Sequence, residues 1–293
     1  PAGRVGSNRR GGQRALIAAG RKQALAGAAR RGLKRFAGVA DAVLPTSGLV
    51  VLAYHRVGGE GTSQMDLPLD RFRDQMARLA DTARVLSLDQ ALDEFAAERT
   101  GSDPAVALTF DDGTADFAEH VVGVLDEFEL PATVYVATEP VLTGERWPDG
   151  AAPLSAEALT EVSGHRLVTI GCHTHAHLLL DRERPSGVAA DLDRSIEVLT
   201  ELTGSPPEHF AYPKALAPSL QNDALVRERF VSAAVAGTRP NRVGRTDPYR
   251  LARSPIQRSD TPRDVAHKFA GGMRLEDDVR RLVQRVTYRA ART

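Results

Sequence analysis

Apolar residues recur along this chain in two alternating rhythms. Short unbroken apolar runs at 49–53, 105–110, 132–137 and 167–171 have the length of buried strands. Between them the spacing turns helical. Phe72, Met76 and Leu79 stand at i, i+4 and i+7, and Phe117, Val121, Val124, Leu125 and Phe128 keep the same period. Ser87 and Gln90 have the spacing of a capping box that opens a helix at 88–97. Further helices are expected at 189–202, stopped by Gly204, and near 223–228. Further strands are expected ending at Phe210-Ala211-Tyr212-Pro213, near 231–235 and near 251–256. The stretch 139–156, with Trp147 and several Pro and Gly, reads as irregular, and 275–289 as a basic C-terminal helix.

Repeated strand-then-helix units imply a parallel sheet, open or closed. Four polar clusters follow directly after strands: Tyr54-His55, Asp111-Asp112, His173 to His177, and Tyr212-Pro213. Chemistry spread over the C-terminal ends of four strands fits a closed or nearly closed α/β barrel. An open sheet would gather its site at one switch point.

Charge changes the picture at the N-terminus. The net charge of the 293 residues is zero, but ten of the 38 Lys/Arg and one of the 38 Asp/Glu lie in residues 1–45. The remaining 28 basic residues therefore face 37 acidic ones. Two parts are expected: a basic arm, 1–45, and a mildly acidic domain, 46–293. Within the arm, Leu25, Ala29, Leu33 and Phe36 lie near one helical face, so it reads either as a basic amphipathic helix or as a disordered tail. Such an arm suits contact with an anionic membrane surface, while the acidic domain argues against a nucleic-acid-binding face. No apolar run approaches the roughly 18 residues of a membrane span, and no signal-peptide pattern is visible. Cys172 is the only cysteine, so no internal disulfide forms; it reads as a small buried residue ending a strand.

The candidate chemistry lies in two motifs. Asp111 and Asp112 would point to opposite faces of a continuing strand, but a turn at Gly113 lets both face one cavity. Two close carboxylates repel; a divalent cation relieves this by taking one and leaving the other ionised as a base. The plainer alternative is a helix N-cap. His173, His175 and His177 are three of eight histidines within five residues. In a helix His173 and His177 would share a face; in an extended chain all three would. Leu178-Leu179-Leu180 marks the segment as packed. The His-x-His-x-Asp-His pattern of binuclear hydrolases is absent. His209 is expected to face away from a barrel lumen, and His120 and His267 to be surface residues.

Thr109-Phe110-Asp111-Asp112-Gly113 followed by His173-Thr174-x-x-His177 resembles the polysaccharide deacetylase family (carbohydrate esterase family 4). Leu52-Ala53-Tyr54-His55-Arg56-Val57, Leu130-Pro131-Ala132-Thr133-Val134-Tyr135-Val136, and Leu202-Thr203-Gly204 with Phe210-Ala211-Tyr212-Pro213 extend the resemblance over roughly 48–258. It implies a distorted, incomplete TIM-like (β/α)7 barrel behind the basic extension. It also implies one divalent metal, usually Zn2+, with Co2+, Ni2+ or Mn2+ as alternatives. By motif position Asp112, His173 and His177 are the ligands, Asp111 is the general base, Thr174 supports the His segment, and the backbone N–H of Tyr212 holds the oxyanion. The implied reaction is removal of an N-acetyl or O-acetyl group from a glycan by metal-activated water.

His175 falls on a variable position and is read as a neighbour rather than a ligand. His55, Trp147, Pro213 and Lys214 are expected to line the substrate pocket, and Arg253 to orient Asp111 or the substrate. Arg253 is no proton donor, because a guanidinium keeps its proton. The late Leu-x-His that supplies the general acid in well-studied members is missing, so the acid is unassigned. Two alternatives remain: deacetylation or deformylation of a lipid-linked sugar at a membrane surface, and a silent carbohydrate-binding module that kept the metal site. The family favours an extracytoplasmic or membrane-associated setting. The glycan and the oligomeric state are not legible.

Overall fold

The computed structural model describes residues 48–272 apart from 60, 62 and 98–104. The expected basic arm and C-terminal helix lie outside these residues. Ten strands are described: β1 (Leu49–Tyr54), β2 (Arg56–Val57), β3 (Asp66–Leu67), β4 (Arg84–Val85), β5 (Ala105–Phe110), β6 (Ala132–Val136), β7 (Val168–Cys172), β8 (His209–Ala211), β9 (Ser232–Ala236) and β10 (Leu251–Pro255). With them come α1 (Leu69–Thr82), α2 (Leu88–Ala96), α3 (Val122–Phe128), α4 (Thr138–Thr143), α5 (Ala156–Ser163), α6 (Pro185–Thr203), α7 (Leu220–Arg227) and α8 (Pro262–Phe269).

Seven parallel strands close on themselves in the order β1-β10-β9-β8-β7-β6-β5, with β5 returning to β1. The closing pair runs in register from Leu49↔Ala105 to Tyr54↔Phe110. β4 adds to the start of β5 outside the ring. The weakest seam is β7 to β8, joined at Cys172↔Phe210. The expected distorted (β/α)7 barrel is thus observed. β9 passes to β10 through a single 3-10 turn, Pro248–Arg250, in place of a full helix.

Alternation along the strands separates two cores. Val50, Leu52, Val106, Leu108, Phe110 and Phe210 face the helices. Leu49, Val51, Ala105, Ala107, Tyr135, Ala211, Ala234 and Leu251 fill the lumen, and Leu88 and Ala91 of α2 pack among them. Helix α2, opened by the anticipated capping box, therefore plugs the N-terminal end of the barrel. The lumen is tight. A Cβ on Gly171 would lie 2.5 Å from the Tyr135 ring, so glycine is required where that ring crosses the axis. With this end closed, the cavity for chemistry lies at the C-terminal ends of the strands.

Several local expectations shift. The stretch 139–156 is not wholly irregular, since α4 occupies its start and ends on Gly144 in the left-handed region. Pro140 masks this helix in the sequence, yet proline is tolerated in a first turn, where the N–H has no intrahelical acceptor. Helix α6 begins at Pro185 rather than 189, for the same reason. Helices α5 and α8, each opened by a side-chain cap at Ser155 or Thr261, were not anticipated. The helix after Asp112 starts as a wide π-turn, Phe117–Val121.

His209 reverses its expectation. It lies on the lumen side of β8 with Ala211, fully buried, because its ring is satisfied there. Nε2 is 2.9 Å from Asp89 Oδ1 on the plug helix, and Nδ1 is 3.0 Å from Ser232 Oγ. A carboxylate only accepts, so Nε2 carries the proton and Nδ1 accepts from the serine hydroxyl. This hydrogen bond holds the Asp89 carboxyl below its ordinary range. Its stabilising effect is present above the unfolded carboxylate value of about 4 and is lost as pH falls through the lower folded value. Asp89→Asn should accordingly lower the melting midpoint by a few degrees at pH 7. The gap from wild type should narrow as pH falls below about 4 in paired thermal melts; a gap independent of pH would refute this.

Candidate active site

The first motif extends β5 by one residue and then breaks it. The Asp111 N–H still donates to the Tyr54 carbonyl (3.0 Å), so its side chain keeps the lumen direction. Asp112 (φ 76°) and Gly113 (φ 72°) then turn through the left-handed region, which brings the second carboxylate round to the same mouth. A non-glycine residue there is strained, a feature that gathers at functional sites.

Asp111 is 4% exposed, and Arg253 of β10 meets it from across the lumen. The guanidinium is bidentate, Nη1 to Oδ1 at 2.5 Å and Nη2 to Oδ2 at 2.8 Å. It also donates to Thr109 Oγ1 and lies over the Tyr135 ring. Burial pushes the Asp111 carboxyl up; the charge and hydrogen bonds of the Arg253 guanidinium overcome this and hold it well below the usual carboxylate range. Of the two partners expected for Arg253, Asp111 or substrate, the side chain contacts Asp111. His55 Nε2 stands 3.7 Å from Asp111 Oδ2, and its buried Nδ1 has no partner among the described residues.

Asp112 faces the two histidines. Its Oδ1 is 3.6 Å from Nε2 of His173 and 3.6 Å from Nε2 of His177. The His173 Nδ1 is 2.7 Å from the Ala211 carbonyl. A carbonyl only accepts, so Nδ1 carries the hydrogen and Nε2 turns a lone pair to the mouth. Burial lowers the pKa of both imidazoles, His177 to about 3, and keeps them neutral at physiological pH. Burial raises Asp112, a cost that a bound cation would reverse. The three donor atoms lie within 4.8 Å of one another. Zinc bonds of about 2.1 Å put tetrahedral ligands roughly 3.4 Å apart, so this donor set fits a divalent cation and leaves a position open.

The segment from His173 to His177 is neither helix nor strand. Thr174 (φ 70°) and His177 (φ 52°) fold it back, which pairs His173 with His177 without a helix. His175 points away, its Nδ1 2.7 Å from Thr138 Oγ1. Thr174 supports the turn, its Oγ1 accepting from the Leu178 N–H at 3.1 Å. Cys172 is buried at the end of β7 with its thiol pushed up to about 12 by burial, an inert position.

Tyr212 requires a correction. Its backbone N–H donates to the Ala234 carbonyl (3.1 Å) in the β8–β9 ladder and is not free for an oxyanion. Its hydroxyl donates to Asp223 Oδ1 (3.0 Å). Pro213 is buried behind it, and Lys214 (φ 55°) is exposed, its charge felt by His177. Trp147 is no free stacking platform. Its ring stands edge-on to His177 at 5.2 Å, and its buried Nε1 has no partner among the described residues.

Two features escaped sequence reasoning. Asp191 of α6 accepts from the N–H groups of His175 and Ala176. The signal was a polar residue between Val188 and Leu192 on the apolar face of that helix. The second is a cleft of about 1200 Å³ over the same end of the barrel, walled by Arg56, Gln64, Glu119, His120, Arg146 and Gln257 among others. The Arg56–Asp149 ion pair (2.7 Å) ties the chain after β1 to the Trp147 loop at its edge.

A family model described as polysaccharide deacetylase matches residues 98–227. Poly-beta-1,6-N-acetyl-D-glucosamine N-deacetylase of Escherichia coli (strain K12) is 28% identical over 147 residues, 46% of this chain and 22% of that protein. The chain thus spans less than a quarter of this relative. IcaB from Ammonifex degensii has a TM-score of 0.65 at 26% identity, over 77% of this chain and 97% of that one. The Streptococcus pyogenes deacetylase PplD, solved with acetate, has a TM-score of 0.66 at 18% identity, over 77% and 99%. The match to the polysaccharide deacetylase family model takes in both strand-end motifs, and the barrel that unites them is shared with IcaB; the chain is similar to polysaccharide deacetylases in both sequence and fold.

Proposed function

We propose that this protein is a metal-dependent hydrolase that removes N-acetyl groups from a polysaccharide or oligosaccharide. One observation carries the reading: a buried carboxylate held ionised by Arg253 stands beside a second carboxylate and two neutral imidazoles that fit a cation. The E. coli relative is named for deacetylation of an N-acetylglucosamine polymer, and an N-acetylated glycan is the substrate class proposed here.

Asp112, His173 and His177 hold the metal, Zn2+ being the best fit to two imidazoles and one carboxylate. When bound, such an ion polarises a carbonyl and acidifies water. Asp111 takes the proton from the attacking water, since it is ionised and fixed by Arg253. The leaving amine needs a proton in return. His173 and His177 face Asp112 and His175 faces Thr138, whereas His55 turns its Nε2 toward the site, 3.7 Å from Asp111 Oδ2. We assign the missing general acid to His55. Exposed Lys214 borders the acetylated sugar, and the cleft walled by Arg56 and Asp149 has room for flanking sugars. The silent-module alternative is disfavoured by the charged Asp111, which a binding module would not need. The lipid-linked alternative rests on residues 1–45, outside the described residues.

Acetate release from N-acetylglucosamine oligomers tests the reading. Release should stop with a chelator and return with Zn2+; release unaffected by chelator would refute metal dependence. Asp111→Asn should keep the metal and lower kcat by about 10²–10⁴-fold, whereas His173→Ala or His177→Ala should lose the metal. Metal loss in Asp111→Asn would mean that the two aspartates exchange roles. His55→Gln should slow amide hydrolysis about 10²-fold yet spare an aryl acetate, whose leaving group departs without a proton. Equal losses on both substrates would remove His55 from the acid role.

A further inference from the structure

The turn that presents His173 and His177 is costly by itself. Two of its non-glycine residues, Thr174 and His177, occupy the left-handed region, which a Cβ disfavours. Its internal bond, Leu178 N–H to Thr174 Oγ1, closes only one end. The rest of the turn is held from behind by other elements. The Thr138 and Glu139 N–H groups of α4 donate to the carbonyls of Thr174 (3.3 Å) and His175 (2.9 Å). From α6, Asp191 Oδ1 accepts from the His175 N–H at 2.8 Å, and Oδ2 from the Ala176 N–H at 2.9 Å. One helical turn on, Ser195 Oγ accepts from the Cys172 thiol (3.2 Å) and the Thr138 hydroxyl (3.5 Å). Asp191 and Ser195 thus stand at i and i+4 on the buried face of α6, where helix packing alone would favour apolar residues.

Asp191 is 9% exposed, and burying a carboxylate needs compensation. Both of its oxygens receive it from the turn, as charge-assisted bonds to successive amides midway between the two imidazoles. We propose that Asp191 is a positioning residue for the metal ligands. By clamping the amides of residues 175 and 176 it sets the separation and direction of His173 and His177, and so the affinity of the site. This inference rests on the metal reading of Asp112, His173 and His177.

The test is Asp191→Asn, an isosteric change whose NH₂ would face one of the two N–H donors. Zinc affinity of the metal-free protein is measured by competition with a chromophoric chelator, without reference to activity. The variant should bind zinc about 10–100-fold more weakly. Val198→Ala, about two turns along the same buried face, should lower the melting midpoint and leave zinc affinity unchanged, which separates positioning from general destabilisation. Equal affinity in Asp191→Asn and wild type overturns the proposal. Should Asp191→Asn fail to fold, amide hydrogen exchange in the wild-type protein decides. Protected His175 and Ala176 amides support the clamp, and exchange at the rate of an exposed loop overturns it. A wild-type protein that takes up no zinc would overturn the metal reading as well, an outcome distinct from equal affinities.

Discussion

A charge at the centre of a closed barrel must be met by another, and the pair Asp111–Arg253 meets that demand. The two residues lie 4% and 1% exposed, on β5 and β10, and their bidentate contact spans the mouth of the lumen. Removing one partner of such a pair typically costs about 3–5 kcal/mol, because the other is left buried and charged. The pair also sets the state of the site. With Arg253 present, burial fails to neutralise Asp111, and the protein keeps a base where desolvation alone would leave a neutral acid. The lumen below is arranged to permit this. Tyr135 lies under the guanidinium, Gly171 makes room for Tyr135, and α2 seals the far end.

Around that pair the mouth of the barrel is built from strained backbone. Asp112, Thr174, His177 and Lys214 all adopt positive φ at the ends of strands, where the chain must leave the barrel while still directing side chains into it. Such conformations persist only when their surroundings over-determine them. Here the surroundings are the plain secondary structure of the barrel: the Ala211 carbonyl for His173, α4 and α6 for the turn that follows, and the Gly113 carbonyl that accepts from Leu154 and draws in the Trp147 loop. Rigid elements thus carry an irregular site.

Much of this was legible beforehand, and the reasons are physical. Apolar runs and helical spacing follow from burial on one side of a strand or helix, so β1, β5, β6, β7 and α2 emerge near their true bounds and α1 is marked by its spacing. The cluster of Asp112, His173 and His177 was legible because carboxylates and imidazoles placed directly after buried strands are carried to one end of the sheet. What failed was what depends on long-range partners. His209 appeared to belong outside, yet Asp89 and Ser232 make the lumen its better place. The Tyr212 N–H appeared available, yet the β8–β9 register gives it to Ala234.

The sequence by itself determined the alternation of elements, the barrel they form and the polar clusters carried at its strand ends, because these depend on local spacing and residue type. Only the tertiary structure decided how those side chains pair. It placed Arg253 against Asp111 rather than substrate, turned His175 to Thr138, brought His55 to the mouth and put Asp191 behind the histidine turn. Each of these pairs residues far apart in the chain, and no periodicity along a sequence records which strand closes against which.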